Sequence, residues 1–310
     1  MPLTQPPQPS TVGRFAPSPT GPLHFGSLVA AVGSYCLARR AGGRWLLRME
    51  DLDTPRVVPG AADAILRTLQ ACGFTWDGEI VWQSRRLEAY QAALERLQEK
   101  QLVFPCGCSR QEIVASAPHA GDEGPVYSGT CRSGLPTGKQ SRSVRLRVGG
   151  STVCFRDGLF GPVEQDLVTA VGDFVLKRAD GIFAYQLAVV VDDLESGVTQ
   201  VVRGADLLSS TARQIYLYGC FDHAPPHYLH LPLALAPDGQ KISKRHGAPS
   251  ASAQDLQHWV RAAFDFLGQQ LPGDLDSAPA EELLGWGSAH FDPGQVPLQA
   301  KTPGLAWEAP

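Results

Sequence analysis

The chain has 310 residues, 27 Lys and Arg against 31 Asp and Glu, a formal charge of −4, and 43% hydrophobic residues. It is long enough for a substantial core and more than one domain, and too apolar and too nearly neutral for a disordered tail or for a protein that coats nucleic acid, although a local RNA groove stays open. No apolar run approaches the roughly 20 residues that span a bilayer; MPLTQPPQPS lacks the basic start and apolar core of a secretory signal; and seven cysteines, an odd and low count, favour a reducing, cytoplasmic setting.

Residues 1–10 read as a flexible lead. A short strand then ends near Phe15, and a Pro- and Gly-containing loop follows. From about Gly26, Leu28, Val29, Val32, Tyr35 and Leu37 recur at a helical period, and Gly42–Gly43 closes that helix. RWLLRMED is a buried strand. A second helix has Pro59 near its start and Gly73 just past its end, and a third runs through SRRLEAYQAALERLQEK. This alternation is the rhythm of an open parallel α/β sheet. Between 105 and 180 turns dominate, cysteines cluster, and SRSVRLRV alternates like an antiparallel strand. FAYQLAVVVDD reads as another strand, SSTARQIYLYG as a helix and HYLHLPLAL as a strand. The C-terminal part is polar, then helical over AQDLQHWVRAAFDFLGQQL, with a short helix around Glu281–Leu284; Trp286 and Phe291 are expected to pin it to the body.

Two segments carry phosphate chemistry. His24 precedes a helix, with Gly26 and Ser27 beside it; a helix N-terminus offers unpaired N–H groups and a positive dipole end. The same residues also fit a plain helix cap. Lys241, Ser243 and Lys244 follow the turn Pro237-Asp238-Gly239, and two flexible point charges around a hydroxyl suit a loop that closes on polyphosphate; a solvated basic turn is the alternative. The chain has no GxxxxGK[ST] and no GxGxxG after its first strand, which argues against phosphate-loop and dinucleotide enzymes. Cys106, Cys108 and Cys131 with Tyr127 supply three thiolates and one oxygen for a tetrahedral metal, with Cys154 as another fourth ligand on spacing alone. Cys36, Cys72 and Cys220 lie in apolar helical contexts and read as core. Arg142, Arg145 and Arg147 form either a stripe that meets an RNA backbone or a solvated strand face.

Together these residues resemble the glutamyl-type class I aminoacyl-tRNA synthetases. His24-Phe25-Gly26-Ser27 stands where the family has its HIGH-type signature and Lys241-Ile242-Ser243-Lys244-Arg245 where it has KMSKS. RFAPSPTG, RMEDLDTPR, YQLAVVVDD and VVRGADL appear in the family's order across residues 12–247. HFGS loses the second His of its signature, and KISKR loses the final Ser. The resemblance implies a Rossmann-like parallel-sheet catalytic domain over 11–104 and 181–240. It implies an inserted zinc-bearing module over 105–180 and a short, mainly helical C-terminal region over 241–310. It puts Arg14, Phe15, Ala16, Pro17, Ser18, Glu50, Tyr185 and Arg203 around glutamate, with Glu50 on the ammonium. It puts His24, Gly26, Ser27, Lys241, Ser243 and Lys244 on ATP, with His24, Lys241 and Lys244 as the catalytic set. The Cys-x-Cys…Tyr-x3-Cys pattern matches the family's structural Zn2+ motif and favours Tyr127 over Cys154.

The residues after Arg245 are too few for the helical anticodon-binding region of the full-length enzymes. The chain therefore resembles the short branch that activates L-glutamate with Mg2+ and ATP without tRNA. That branch then transfers glutamate to queuosine in the anticodon stem-loop of tRNA(Asp). A monomer without membrane contact is expected. A truncated enzyme that charges the tRNA 3′ end and a non-catalytic RNA-binding paralogue are the rivals.

Overall fold

In the computed structural model the described residues are 10–121, 124–150, 152–236, 239 and 256–303. Lys241, Ser243 and Lys244 lie outside them. Strand β1 (Val12–Phe15) leads through the Pro-rich loop into α1 (Phe25–Arg40), which returns to β2 (Arg44–Met49). Then come α2 (Ala61–Ala71) and β3 (Val81–Trp82). β1 pairs in parallel with β2, Val12 opposite Arg44, and β2 pairs in parallel with β3. Gly73, at φ 83°, takes the left-handed turn just past α2 that glycine adopts without a Cβ penalty.

Helix α3 (Leu87–Glu99) leads into β4 (Val103–Cys106), where the chain leaves the parallel sheet. The module that follows contains α4 (Arg110–Ser116), the small hairpin β5 (Ala120–Gly121) and β6 (Gly124–Pro125), and β7 (Ser143–Leu146). A second hairpin, β8 (Thr152–Asp157) and β9 (Gly161–Asp166), then α5 (Leu167–Ala170) and β10 (Val175–Lys177) complete it. β4, β7 and β10 form an antiparallel sheet with β7 in the middle, so SRSVRLRV does form its strand.

The chain returns through α6 (Tyr185–Glu195), β11 (Gln200–Gly204), α7 (Leu208–Cys220) and β12 (His227–Leu231). β11 and β12 are parallel. β11 runs beside β1, joined where Thr199 N donates to Val12 O and Val12 N donates to Thr199 Oγ1, each at 2.9 Å. α6 corrects the sequence reading of FAYQLAVVVDD as a strand. Every residue from Gln186 to Asp193 is buried, so the helix has no polar face to give a 3.6-residue period, and a β-branched apolar run without period reads as a strand.

One core gathers α1, α2, β1, β2 and the C-terminal helices α8 (Leu256–Phe266) and α9 (Ala280–His290). The other gathers α3, α6 and α7 with the module's strands. α1 sits so close to β12 that a Cβ at Gly33 would lie 2.7 Å from Leu231 Cδ1. α9 is longer than the expected short helix and rests on α1. Phe291 is fully buried and its carbonyl accepts from Arg40, while Trp286 meets Phe264 edge-on at 6.0 Å. The tail is thus held by the two residues expected to hold it.

Candidate active site

Parallel strands converge their carboxyl ends on one crevice, the usual ligand position in open α/β sheets. A cavity of about 830 Å³ lies there. Arg14 to Ser18 enter it from the end of β1, Glu50 from the end of β2, Arg203 to Leu207 from the end of β11, and Leu231 to Ala234 from the end of β12. Tyr185 reaches it from the start of α6, and His24, Gly26 and Ser27 from the start of α1. Every described residue expected to bind glutamate or ATP lines this one cavity. Glu50 N donates to Pro17 O at 2.9 Å, which locks the β1 loop against the end of β2.

The crevice floor is a buried charge network. Arg48, 3% exposed, pairs with Asp193 and reaches Glu50 Oε1 at 3.2 Å and Asp192 Oδ2 at 3.7 Å. Asp192 also receives Arg86, Gln83 and Tyr90. Burial pushes the Asp193 carboxyl up, but Arg48 and Arg14 outweigh it and hold the group below its ordinary value. At Glu50 burial wins over the same two arginines, and its pKa is raised. Burial, then the Glu50 charge, raises Tyr185. Sequence reasoning missed Arg48 and Asp193 as site residues. Their signal was the Arg of RMEDLDTPR and the second Asp closing YQLAVVVDD, which a strand reading leaves at an exposed strand end.

The two pocket arginines differ. Arg203, 5% exposed, donates from Nε to His230 Nε2 at 3.1 Å, from Nη1 to Gln214 Oε1 at 2.8 Å and from Nη2 to Thr211 Oγ1 at 2.8 Å. Nη2 also reaches Leu207 O at 3.3 Å. A guanidinium has five N–H donors, so among the described residues four are engaged and one on Nη1 has no partner. Arg14 is 4% exposed, and its Nε is buried without a hydrogen-bond partner among the described residues; Asp193 Oδ1 stands 3.5 Å away. A buried guanidinium that lines an open cavity is a seat for a carboxylate. His24 caps α1: its Nδ1 accepts from Ser27 N at 3.2 Å, with Nε2 at 3.1 Å from Ser27 Oγ. It therefore both caps the helix and lines the cavity.

A separate cluster sits in the inserted module. Cys106, Cys108 and Cys131 are buried, and their Sγ atoms all lie within 4.8 Å of one another. Cys108 Sγ is 3.6 Å from Cys131 Sγ, close to the edge of about 3.8 Å that a tetrahedron with Zn–S near 2.3 Å requires. Tyr127 Oη stands 3.4 Å from Cys106 Sγ and 3.8 Å from Cys108 Sγ. Burial raises the Cys106 thiol, but Tyr127, the Cys108 N–H and Arg145 bring it down to about 7. Metal ligation needs thiolates; Cys106 is brought toward that form, whereas burial and the neighbouring sulfurs raise the Cys108 thiol. The cluster can hold a metal ion; Cys154 is exposed on β8 and outside it. Cys36 and Cys72 are buried, as read, whereas Cys220 is partly exposed.

Arg145 and Arg147 serve that cluster, which corrects both sequence readings of Arg145. Arg145 is buried, with its guanidinium 4.1 Å from the centre of the Tyr127 ring, and donates to Asp173 O. Arg147 lies over Phe104 and donates to Arg132 O. Burial removes Arg145 from both readings; Arg147 is half-buried and Arg142 exposed.

Comparison with known proteins agrees with the geometry. Residues 10–267 match the family model for tRNA synthetases class I (E and Q), catalytic domain. A glutamyl-Q tRNA(Asp) synthetase of Geobacter sulfurreducens is 57% identical over 301 residues, covering 95% of this chain and 96% of the relative. One from Dechloromonas aromatica is 56% identical, covering 93% and 96%. The chain belongs to the glutamyl-Q tRNA(Asp) synthetases. Like other members of that family it is shorter than the full glutamate enzymes. The glutamate-tRNA synthetase of Elizabethkingia anophelis superposes with a TM-score of 0.76 at 26% identity, over 93% of this chain but 67% of the larger one. A glutamate tRNA ligase from Elizabethkingia meningosepticum, solved with its amino acid, gives 0.77 at 26% identity, over 93% and 66%. No helix among the described residues is long and apolar enough to cross a membrane.

Proposed function

We propose that this chain activates L-glutamate with ATP, in the absence of tRNA, and transfers it to the queuosine base at the wobble position of tRNA(Asp). The observation that carries the reading is that two buried guanidiniums, Arg14 and Arg203, line one cavity with the Glu50 carboxylate at the carboxyl ends of the parallel strands. An amino acid with a second carboxylate fits that polarity. Arg14 takes a carboxylate, Glu50 takes the ammonium, and Arg203 adds charge and its one remaining N–H. Phe15, Ala16, Pro17, Ser18 and Tyr185 shape the pocket around them.

In the first step an oxygen of the glutamate α-carboxylate attacks the α-phosphorus of ATP, and the bond to the β-phosphate oxygen breaks. A carboxylate nucleophile needs no general base, so His24 is assigned to phosphate stabilisation with the α1 N-terminus, Gly26 and Ser27. Mg2+ arrives with ATP and offsets the charge on the departing pyrophosphate. Lys241, Ser243 and Lys244 are assigned to the same charge from sequence alone. In the second step a hydroxyl of the queuosine cyclopentenediol attacks the mixed anhydride, AMP leaves, and the hydroxyl proton is lost to solvent. Positioning suffices, because adenylate is a good leaving group.

We further propose that the Cys106, Cys108 and Cys131 cluster holds Zn2+ with Tyr127 Oη as fourth ligand, in a structural role because protein fills all four positions. Burial and the neighbouring sulfurs raise the Tyr127 phenol, and a bound dication reverses that. We assign the module at 105–180 to the anticodon stem-loop of a single tRNA, bound by a monomer in the cytoplasm.

The test combines ATP, radiolabelled glutamate and tRNA(Asp) with or without queuosine. Label in the queuosine form alone is expected. Label in unmodified tRNA(Asp) or in tRNA(Glu) overturns the reading. Glutamate-dependent pyrophosphate exchange without tRNA tests the first step separately.

A further inference from the structure

Arg203 is not held by its own neighbourhood alone. Its Nε–H can only donate, so His230 Nε2, 3.1 Å away, must accept. That fixes the other ring nitrogen: Nδ1 carries the proton and donates to Asp157 Oδ2 at 2.6 Å. Asp157 is anchored in turn. Its Oδ1 accepts the backbone N–H groups of Leu159 and Phe160, each at 2.9 Å, in the turn between β8 and β9. All three side chains are buried: Asp157 at 2%, His230 at 0% and Arg203 at 5% exposure. Burial keeps the ring neutral, and the hydrogen bonds to Asp157 keep the carboxylate charged. A protonated ring would present a second donor to Arg203 and break the chain.

We infer that Asp157 and His230 form a positioning relay, in which a carboxylate from the inserted hairpin sets the tautomer of His230 and so fixes the Arg203 guanidinium that faces the glutamate pocket. The relay rests on the reading of the cavity as a glutamate site. It adds that the site draws a positioning residue from outside the parallel sheet, since Asp157 ends β8 and His230 lies on β12.

The experiment measures KM for glutamate and for ATP separately, by pyrophosphate exchange, in four variants. His230→Leu keeps the bulk and removes the acceptor, and KM for glutamate is expected to rise tenfold or more with KM for ATP within twofold. His230→Gln restores an acceptor for Arg203 Nε–H and is expected to recover most of that loss. Asp157→Asn must turn an amide N–H toward either the backbone donors or the ring, which favours the other tautomer, and is expected to match His230→Leu. Asp157→Glu keeps the charge and is expected to fall between Asp157→Asn and the parent. In the parent protein, 15N NMR is expected to show His230 as the Nδ1–H tautomer. An unchanged KM for glutamate in folded His230→Leu or Asp157→Asn overturns the relay, as does a parallel rise of both KM values or the Nε2–H tautomer. If His230→Leu does not fold, the contrast between Asp157→Asn and His230→Gln decides in the same way. Failure of the parent to exchange pyrophosphate with glutamate would instead overturn the underlying function.

Discussion

Arg48 stands between Asp193 and Glu50, with Nη1 on the first carboxylate and Nη2 3.2 Å from the second. One guanidinium thus holds the end of β2 against α6 directly below the cavity. Removing it takes the shorter of the two arginine contacts of Asp193, leaving Arg14 Nε at 3.5 Å, and takes the Glu50 contact as well. Breaking a buried pair by deleting one partner costs about 3–5 kcal/mol. Arg48→Met is therefore expected to lose about that much stability in urea unfolding, and Arg48→Lys less. A loss below about 1 kcal/mol for Arg48→Met would contradict the network.

Arg14 makes the weaker contact to the same network. Its Nε lies 3.5 Å from Asp193 Oδ1, and its charge favours the ionised forms of both Asp193 and Glu50. Arg14→Met is expected to lower the melting temperature, but by less than Arg48→Met, because Asp193 keeps Arg48. The same variant is expected to lose about 2–5 kcal/mol in kcat/KM for glutamate, roughly thirtyfold or more, because a charged partner of the substrate is gone. Melting and pyrophosphate exchange on one preparation check both halves.

Glu50 sets an acid limit. Burial raises its pKa despite Arg48 and Arg14. It therefore takes up a proton as pH falls through a value above the ordinary carboxylate range near 4.3, and loses its attraction for an ammonium group. KM for glutamate is expected to rise on the acid side from that higher pH, while Asp193, held low, stays charged. Glu50→Gln is expected to raise KM at neutral pH and to flatten the acid limb. A profile unchanged by the substitution would remove Glu50 from ammonium binding.

The blocks that line the cavity were legible in sequence because their residues lie next to one another: Arg14 to Ser18 form one loop, and His24 to Ser27 one helix start. The relations between blocks were not. Nothing in the local pattern says that Arg14 would meet Asp193 while Arg203 met Thr211, Gln214 and His230, which α7 and β12 bring to it. α6 was misread because burial on all sides erased its period, and with it went the roles of Asp192 and Asp193. Arg145 was misread because alternation shows which way a strand's side chains point, not that Tyr127 lies beneath it.

The cysteine cluster separates the two halves of the reaction. The proposed zinc site predicts one equivalent of zinc per chain by elemental analysis, well below that in Cys131→Ser, and no change in Cys154→Ser, since Cys154 is exposed and outside the cluster. Glutamate-dependent pyrophosphate exchange is expected to persist in Cys131→Ser, because the cavity draws no residue from the cluster. Transfer to tRNA is expected to fall. Equal loss of both activities would make the module part of the activation site.

Helix α8 supports the His24 side of the cavity through one ring. Phe25, the residue after His24, is edge-packed by Trp259 at 6.0 Å and by Phe266 at 5.8 Å, both from α8. His24 caps the helix that Phe25 begins, so the position of the α1 N-terminus depends on that packing. Truncating a buried Trp costs about 3–5 kcal/mol, and Trp259→Ala is expected to lose stability on that scale. Because the lost support lies under His24 and not under Arg14, KM for ATP is expected to rise severalfold and KM for glutamate to change less. Trp259→Phe, which keeps a ring against Phe25, is expected to restore ATP binding ahead of full stability. If the two KM values move together in both variants, α8 supports the fold as a whole and not the helix start.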